Sequence, residues 1–408
     1  MTTSHDIFSV FGIELEYMIV NRDTLEILPL SEVLFKEKTG DFNGRYEAGE
    51  ITWTNELTAH VIELKNTAPK TSFKGLHAAF HANIKDLNKM LEPHNAMLLP
   101  TSAHPLMDPK TQTVLWRHEN REIYELYDQV FNCKQHGWSN EQSMHINLPF
   151  ANDAEFERLH AAVRMVLPII PALAASSPIL EGEITPYRDA RLWAYVNQNK
   201  NLPAIAGRII PEPVFNKLNY TQQIFNPIQA AIKPFDKQKI MDKHRLNARG
   251  AIARFDRGSI EIRVTDIQEC PKADIAIAEL IIAVIKGLAN EKSCSINRQK
   301  SWHTDDLRVI MTQTKYAAEQ AIITDSNYLH CLGLHVTKVS AQDLWQHLLD
   351  NHKSKISKES QATLSSILNY GSLSSRILEK VGKIPTSQSI YYTYSDLADC
   401  LAANILYI

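Results

Sequence analysis

The 408-residue sequence predicts an α+β fold. Three observations carry that prediction. Four segments alternate apolar and polar residues with the period of two that a strand imposes. Other segments repeat apolar residues at steps of three and four, as an amphipathic helix does. From about residue 293 onward the helical pattern continues alone.

The elements follow in chain order. Residues 8–20 read as a strand, with Phe11, Ile13, Leu15, Tyr17 and Ile19 on one face and Gly12, Glu14, Glu16 and Met18 on the other. Residues 45–65 read as a strand pair turning near Ala48-Gly49-Glu50. The spacing of Leu76, Phe80, Ile84, Leu87 and Leu91 predicts a helix over 71–92. In residues 141–149, Ser143, His145 and Asn147 oppose Met144, Ile146 and Leu148. A helix over 153–174 stops at Ser176-Ser177-Pro178, and an irregular polar segment follows. The stretch 200–235, rich in proline and asparagine, reads as a long functional loop. Residues 259–266 form a strand that turns Ser259, Glu261, Arg263 and Thr265 to one face and Ile260, Ile262 and Val264 to the core. An apolar helix covers 272–290. Ser340 and Asp343 resemble a capping box, and 361–381 and 393–404 look helical. The pattern divides the chain into a sheet-plus-helix domain, 1–292, and a helical region, 293–408, packed on it.

Composition narrows the function classes. Apolar residues make up 44% and charged residues 22%, as in ordinary globular proteins. A net charge of −3 gives no basic surplus for nucleic acid. No run of about 18 apolar residues predicts a membrane span. The N-terminus, Met1-Thr2-Thr3-Ser4-His5-Asp6, lacks the basic start and apolar run of a secretion signal. Five scattered cysteines without CxxC spacing read as reduced thiols, and the chain as cytoplasmic.

Chemistry concentrates on the polar strand faces. Glu14 and Glu16 project side by side about 7 Å apart, a spacing that suits two neighbouring cations or a solvated strand. Glu63 lies in an apolar run within Glu56–Glu63. A carboxylate there needs a cation, hydrogen bonds or a partner such as Lys65. His145 is either a ligand or a hydrogen-bonded core residue. Glu261 and Arg263 share a strand face, and Arg249 and Arg254 lie just upstream. Guanidinium groups bind phosphate oxygens bidentately. Five glutamates and one histidine could form two oxygen-rich sites for Mg2+, or for Mn2+, which tolerates the imidazole. With the arginines they describe a site for the triphosphate of ATP. No P-loop or GxGxxG motif is present.

Taken in order, Glu14-x-Glu16, Glu56-x6-Glu63, Met144-His145-x-Asn147, Ser176-Ser177-Pro178, Tyr187-x3-Arg191 and Ile260-Glu261-x-Arg263-Val-x-Asp266 resemble the glutamate–cysteine ligase family, in its bacterial carboxylate–amine ligase branch. The resemblance spans about residues 8–290. It implies a glutamine-synthetase-like curved antiparallel sheet flanked by helices. It also implies that Glu16, Glu56 and Glu63 hold one magnesium, while Glu14, His145 and Glu261 hold a second. Arg263, Arg254 and Arg249 would neutralise the transferring phosphate. Arg191 and Tyr187 would bind substrate. The implied substrates are ATP, glutamate and an amine, with cysteine as the default, and homo-oligomers are common in the class. Residues 179–186 depart from the family pattern, with Glu181, Glu183 and Pro186 at unexpected positions. Two further readings stay open: a guanidino- or carboxyl-group kinase of the same fold, and a non-catalytic Mg-ATP or metabolite binder.

Overall fold

A computed structural model describes residues 5–408. The first four residues of the N-terminal stretch considered above lie outside the described residues. The strands are β1 (Gly12–Asn21), β2 (Arg45–Ala48), β3 (Ile51–Asn55), β4 (Val61–Asn66), β5 (Ala96–Leu99), β6 (Ser143–Pro149), β7 (Ile179–Leu180), β8 (Glu183–Ile184), β9 (Ala251–Arg254), β10 (Ser259–Asp266), β11 (Ile322–Ile323) and β12 (Val339–Ser340). Eight of them form one antiparallel sheet in the order β2-β3-β4-β1-β6-β10-β9, and β5 pairs with the far end of β1.

Period-two alternation explains why the sheet has two unlike faces. Ile13, Leu15, Tyr17 and Ile19 of β1 enter the main core, as do Met144, Ile146 and Leu148 of β6. Two helices cover that face. Leu76–Leu91 presents Leu76, Phe80, Ile84, Leu87 and Leu91, and Pro271–Ala289 is apolar nearly all round and buried accordingly. The C-terminal region continues this core rather than forming another: Leu344, Trp345, Leu364 and Ile367 belong to the same cluster as Ile281 and Val284. A second cluster joins Met18, Val20 and Met97 to Ile377, Tyr394 and Leu397 of the last two helices.

Several expectations need correction. The segment 45–65 holds three strands, not two. The helix expected over 153–174 breaks into Asp153–Val166, a 3-10 turn and Ile170–Ala174, because Pro168 and Pro171 each start a new turn. The supposed loop 200–235 contains helices Pro203–Ala206, Lys217–Tyr220 and Asn226–Ile232, with a π-helical turn at Thr221–Phe225. Pro203 and Pro227 sit at helix starts, and Asn216 caps Lys217–Tyr220 by accepting from the Asn219 N–H. Residues 361–381 form two helices, interrupted at Gly371, whose φ is 87°. Beyond 293 the chain is not purely helical, since β11 pairs with β12. Ser340 does cap Ala341–His352, but its hydroxyl donates to the Asp343 carboxylate, so the reciprocal bond of a capping box is not the one formed.

One correction bears on the site. Strand β10 pairs with β6 through Glu261↔Asn147 and Ile262↔Ile146, then through Thr265↔Met144 and Asp266↔Ser143. One extra residue has entered β10 between these pairs, a β-bulge. Cross-strand partners share a face. Thr265 therefore falls on the core side with Met144, against expectation, and Asp266 takes its place on the polar face with Ser143.

Candidate metal and phosphate site

The polar face of the sheet floors a cavity of about 410 Å3. Register, more than sequence proximity, assembles it. Glu16 lies opposite Glu63, Glu14 opposite both Lys65 and His145, and Glu261 opposite Asn147. Like charges directly across a strand pair repel, so the Glu16–Glu63 register sets up a demand for a cation. Two groups of ligand atoms result, each within 4.8 Å of one another: Glu16, Glu56 and Glu63, and Glu14, Glu63 and His145. The first is the expected set. The second is not: Glu63 serves both groups, and Glu261 faces Arg263 at 3.1 Å and Arg254 at 3.6 Å instead.

Four of the ligands, Glu14, Glu16, Glu63 and His145, are also oriented from behind. Glu16 Oε2 accepts from the Ser143 N–H at 2.7 Å and its hydroxyl at 3.0 Å. His145 Nε2 lies 2.7 Å from the Ser143 hydroxyl and its Nδ1 3.3 Å from Glu14. Asn147 donates to Glu14 at 3.0 Å. Thr54 and Lys65 both donate to Glu63. Such supporting hydrogen bonds fix the geometry of metal ligands.

The charges are strongly coupled. Burial pushes the Glu56 carboxyl up to about 7, with the Glu16 charge adding to the rise. Burial and the Glu14 charge likewise raise Glu63. Burial opposes ionisation of Glu14 too, but hydrogen bonds from His145 and Glu63 outweigh it and hold its carboxyl well below the usual range. For His145, burial is outweighed by the Glu14 hydrogen bond and the Glu16 charge, so its pKa is raised. Lys65 is a protein cation inserted among these carboxylates, and Glu63 and Glu14 raise its pKa despite burial. An oxygen-rich set with one imidazole and surplus negative charge fits a hard divalent cation such as Mg2+ or Mn2+.

The arginines separate by what they already bind. Arg263 lines the cavity, and its Nε has no aligned hydrogen bond despite its nearness to Glu261. Arg254 also lines it, steadied by Asp256 at 2.8 and 3.1 Å. Arg249 does not: it turns away, packs on Gly207 and forms a two-pronged ion pair with Glu212 at 2.6 and 2.7 Å. Arg191 reaches the cavity wall, but its Nε is spent on Asp266 at 2.6 Å and an Nη donates to the Arg263 carbonyl at 3.4 Å. Tyr187 lies outside the cavity lining, stacked on Trp193 with ring centroids 5.6 Å apart. The unusual residues 179–184 form the β7–β8 hairpin, also outside the lining, where Glu181 pairs with His136.

Sequence reasoning missed other lining residues. Asn55, Tyr124, Tyr127, Trp138, Glu141, Tyr195, Gln198 and Arg245 all border the cavity. Most sit on helices or between elements, where no alternation marks an inward side chain. Burial pushes the Glu141 carboxyl well above its usual range, opposed by Arg191.

Comparisons with known proteins bear on the family and the fold. The family model described as glutamate-cysteine ligase family 2 matches residues 10–391. An uncharacterized protein of Archaeoglobus fulgidus is 34% identical over 282 residues, covering 69% of this chain and 75% of its own. A crystal structure of glutamate–cysteine ligase from Francisella tularensis in complex with AMP superposes with a TM-score of 0.63 at 14% identity, covering 97% of this chain and 89% of the other. A bifunctional glutathione synthetase from Pasteurella multocida gives a TM-score of 0.61 at 12% identity, with 97% of this chain covering 53% of that longer one. At such identities the two structures speak for the fold.

Proposed function

The chain belongs to glutamate–cysteine ligase family 2, and from that premise we propose that it joins the γ-carboxylate of L-glutamate to an amine, with cysteine the first candidate, at the expense of ATP. The enzyme class, an ATP-dependent ligase forming amide bonds, follows from the family. The observation that supports the finer reading is one cavity holding both ligand groups of the acidic strands and, beside them, Arg263 and Arg254.

In this reading the acid carboxylate attacks the γ-phosphorus of ATP. An acyl phosphate forms and ADP leaves. The amine nitrogen then attacks the acyl carbon, phosphate departs and the nitrogen sheds a proton. Glu16, Glu56 and Glu63, and Glu14, Glu63 and His145, would hold divalent cations, which when bound offset charge on the phosphate oxygens. Arg263 supplies a largely buried positive group at the cavity wall, so less solvent reorganisation is needed as charge develops. Arg254 is held in place by Asp256 and supports the same charge. Arg191, bound to Asp266, positions the wall that carries Arg263 rather than clamping substrate with its whole guanidinium.

The deciding experiment measures ADP release from ATP with magnesium and L-glutamate across a panel of amines, with the products identified by mass spectrometry. ADP matched by a γ-glutamyl amide supports the ligase reading and names the acceptor. ADP matched by a stable phosphorylated product and no amide replaces it with a kinase.

A further inference from the structure

Four basic residues around the cavity are each matched by an acid: Arg191 by Asp266, Arg263 by Glu261, Arg254 by Asp256 and Lys65 by Glu63. Glu141 is different. It lines the same cavity, and among the described residues no hydrogen bond or ion pair reaches its carboxyl. Its Oε1 is sealed from solvent without a partner. A buried carboxylate oxygen left in this way is costly unless something supplies the missing donor.

The surroundings say what kind of donor. Gln198 Oε1 and the Tyr195 hydroxyl line the same cavity and are likewise buried without partners. Trp138 stacks on Phe131 at 5.0 Å and tilts against Tyr127 at 5.9 Å, and all three rings line the same cavity. Gly137 permits the arrangement. A Cβ there would lie 2.7 Å from both the Ala194 carbonyl and Gln198 Cβ, so only glycine lets this segment close on the helix Ala190–Asn197 that carries Tyr195 and Gln198. A carboxylate, a carbonyl and a hydroxyl oxygen in a cavity lined by aromatic rings match the three N–H donors and the charge of a primary ammonium group.

The geometry points to Glu141 as the anchor of an ammonium subsite, with Gln198 and Tyr195 as accessory acceptors and a primary ammonium group of a substrate as the ligand. The inference rests on the ligase reading, because that reaction has two sources of such a group: the α-ammonium of the acid substrate and the acceptor amine.

The test needs no turnover. Wild type and Glu141→Gln, each with magnesium and a non-hydrolysable ATP analogue, are titrated with L-glutamate, n-butylamine and the uncharged 1-butanol, and read by the fluorescence of the tryptophans, one of which (Trp138) lines the cavity. Glutamine has the shape of a neutral glutamate, so this variant removes charge and leaves packing alone. At least one ammonium ligand should bind wild type and lose roughly 10-fold or more in the variant, while the nucleotide analogue binds both equally. Loss confined to L-glutamate assigns the subsite to the acid substrate, and loss confined to n-butylamine assigns it to the acceptor. Glu141→Asp, which keeps the charge, should retain more affinity than Glu141→Gln. Equal binding of ammonium ligands to wild type and Glu141→Gln overturns the inference, as does no ammonium binding by wild type, or, where n-butylamine is the ligand that loses affinity, binding of 1-butanol to wild type as tight as that of n-butylamine. Intact, Glu141-dependent binding with no ADP release would sink the ligase reading and spare the subsite.

Discussion

Two buried clusters of charge lie on the same sheet face and are built on opposite terms. Around Asp266, each interaction closes: its carboxylate receives Arg191 at 2.6 Å, the Ser176 N–H at 2.8 Å and the Ser177 hydroxyl at 2.9 Å. Around Glu63, negative charge exceeds positive, with Glu14, Glu16 and Glu56 close by and Lys65 as the inserted cation. The first arrangement is complete without a ligand and ties the sheet to the helical layer. The second is complete only when something positive arrives. Buried charges that find protein partners hold structure, and buried charges that lack them mark where a ligand enters.

The largest test of this contrast removes Asp266. Asp266→Ala leaves Arg191 buried and uncompensated, so unfolding free energy should drop by about 3–5 kcal/mol. A loss under about 1 kcal/mol in urea titration would put the Asp266 cluster on the same footing as the acidic one. Next comes Glu63→Gln. Because Glu63 belongs to both ligand groups, magnesium affinity by calorimetry should fall roughly 100-fold or more, yet the melting temperature without metal should stay level or rise, since one of several facing acids is gone. A large drop in metal-free stability would show that the Lys65 pair is architecture instead. The gentlest test is pH. The Glu56 carboxyl sits at about 7 against an ordinary value of 4.5. A carboxyl raised in the folded state favours the fold below the ordinary value, and that benefit is lost as pH climbs through the raised one. The raised Glu63 and His145 act in the same direction, while the lowered Glu14 opposes them by costing stability only as pH falls. The metal-free melting temperature should therefore decline between pH 4.5 and about 7, and magnesium should flatten the decline. A profile unaffected by magnesium would separate these acids from metal binding.

Much of this was legible from alternation. The core faces of β1 and β6 and the helices Leu76–Leu91 and Pro271–Ala289 follow the apolar periodicity residue by residue. Glu14, Glu16, Glu63 and His145 converge because strands keep their polar side in common once register is set, and Glu56 joins them from the turn after β3. What sequence could not say was which acid each arginine would choose. Arg249 and Arg254 are five positions apart, yet one turns to Glu212 and the other to the cavity. Tyr187 and Arg191 lie near each other in sequence, but Asp189 caps the helix Ala190–Asn197 between them and sends Tyr187 toward Trp193. Glu141 stands in phase with Ser143, His145 and Asn147 but ahead of β6, so alternation alone did not single it out from a solvated strand end.

A strand is read two residues at a time, so it has a reading frame. The extra residue between Ile262 and Thr265 changes that frame within β10: upstream letters spell Glu261 and Arg263 into the cavity, and downstream ones deliver Asp266 to Arg191. Deleting a single residue there would be a frameshift in space. The chemistry upstream would keep its sense, and the latch downstream would face the wrong side of the sheet.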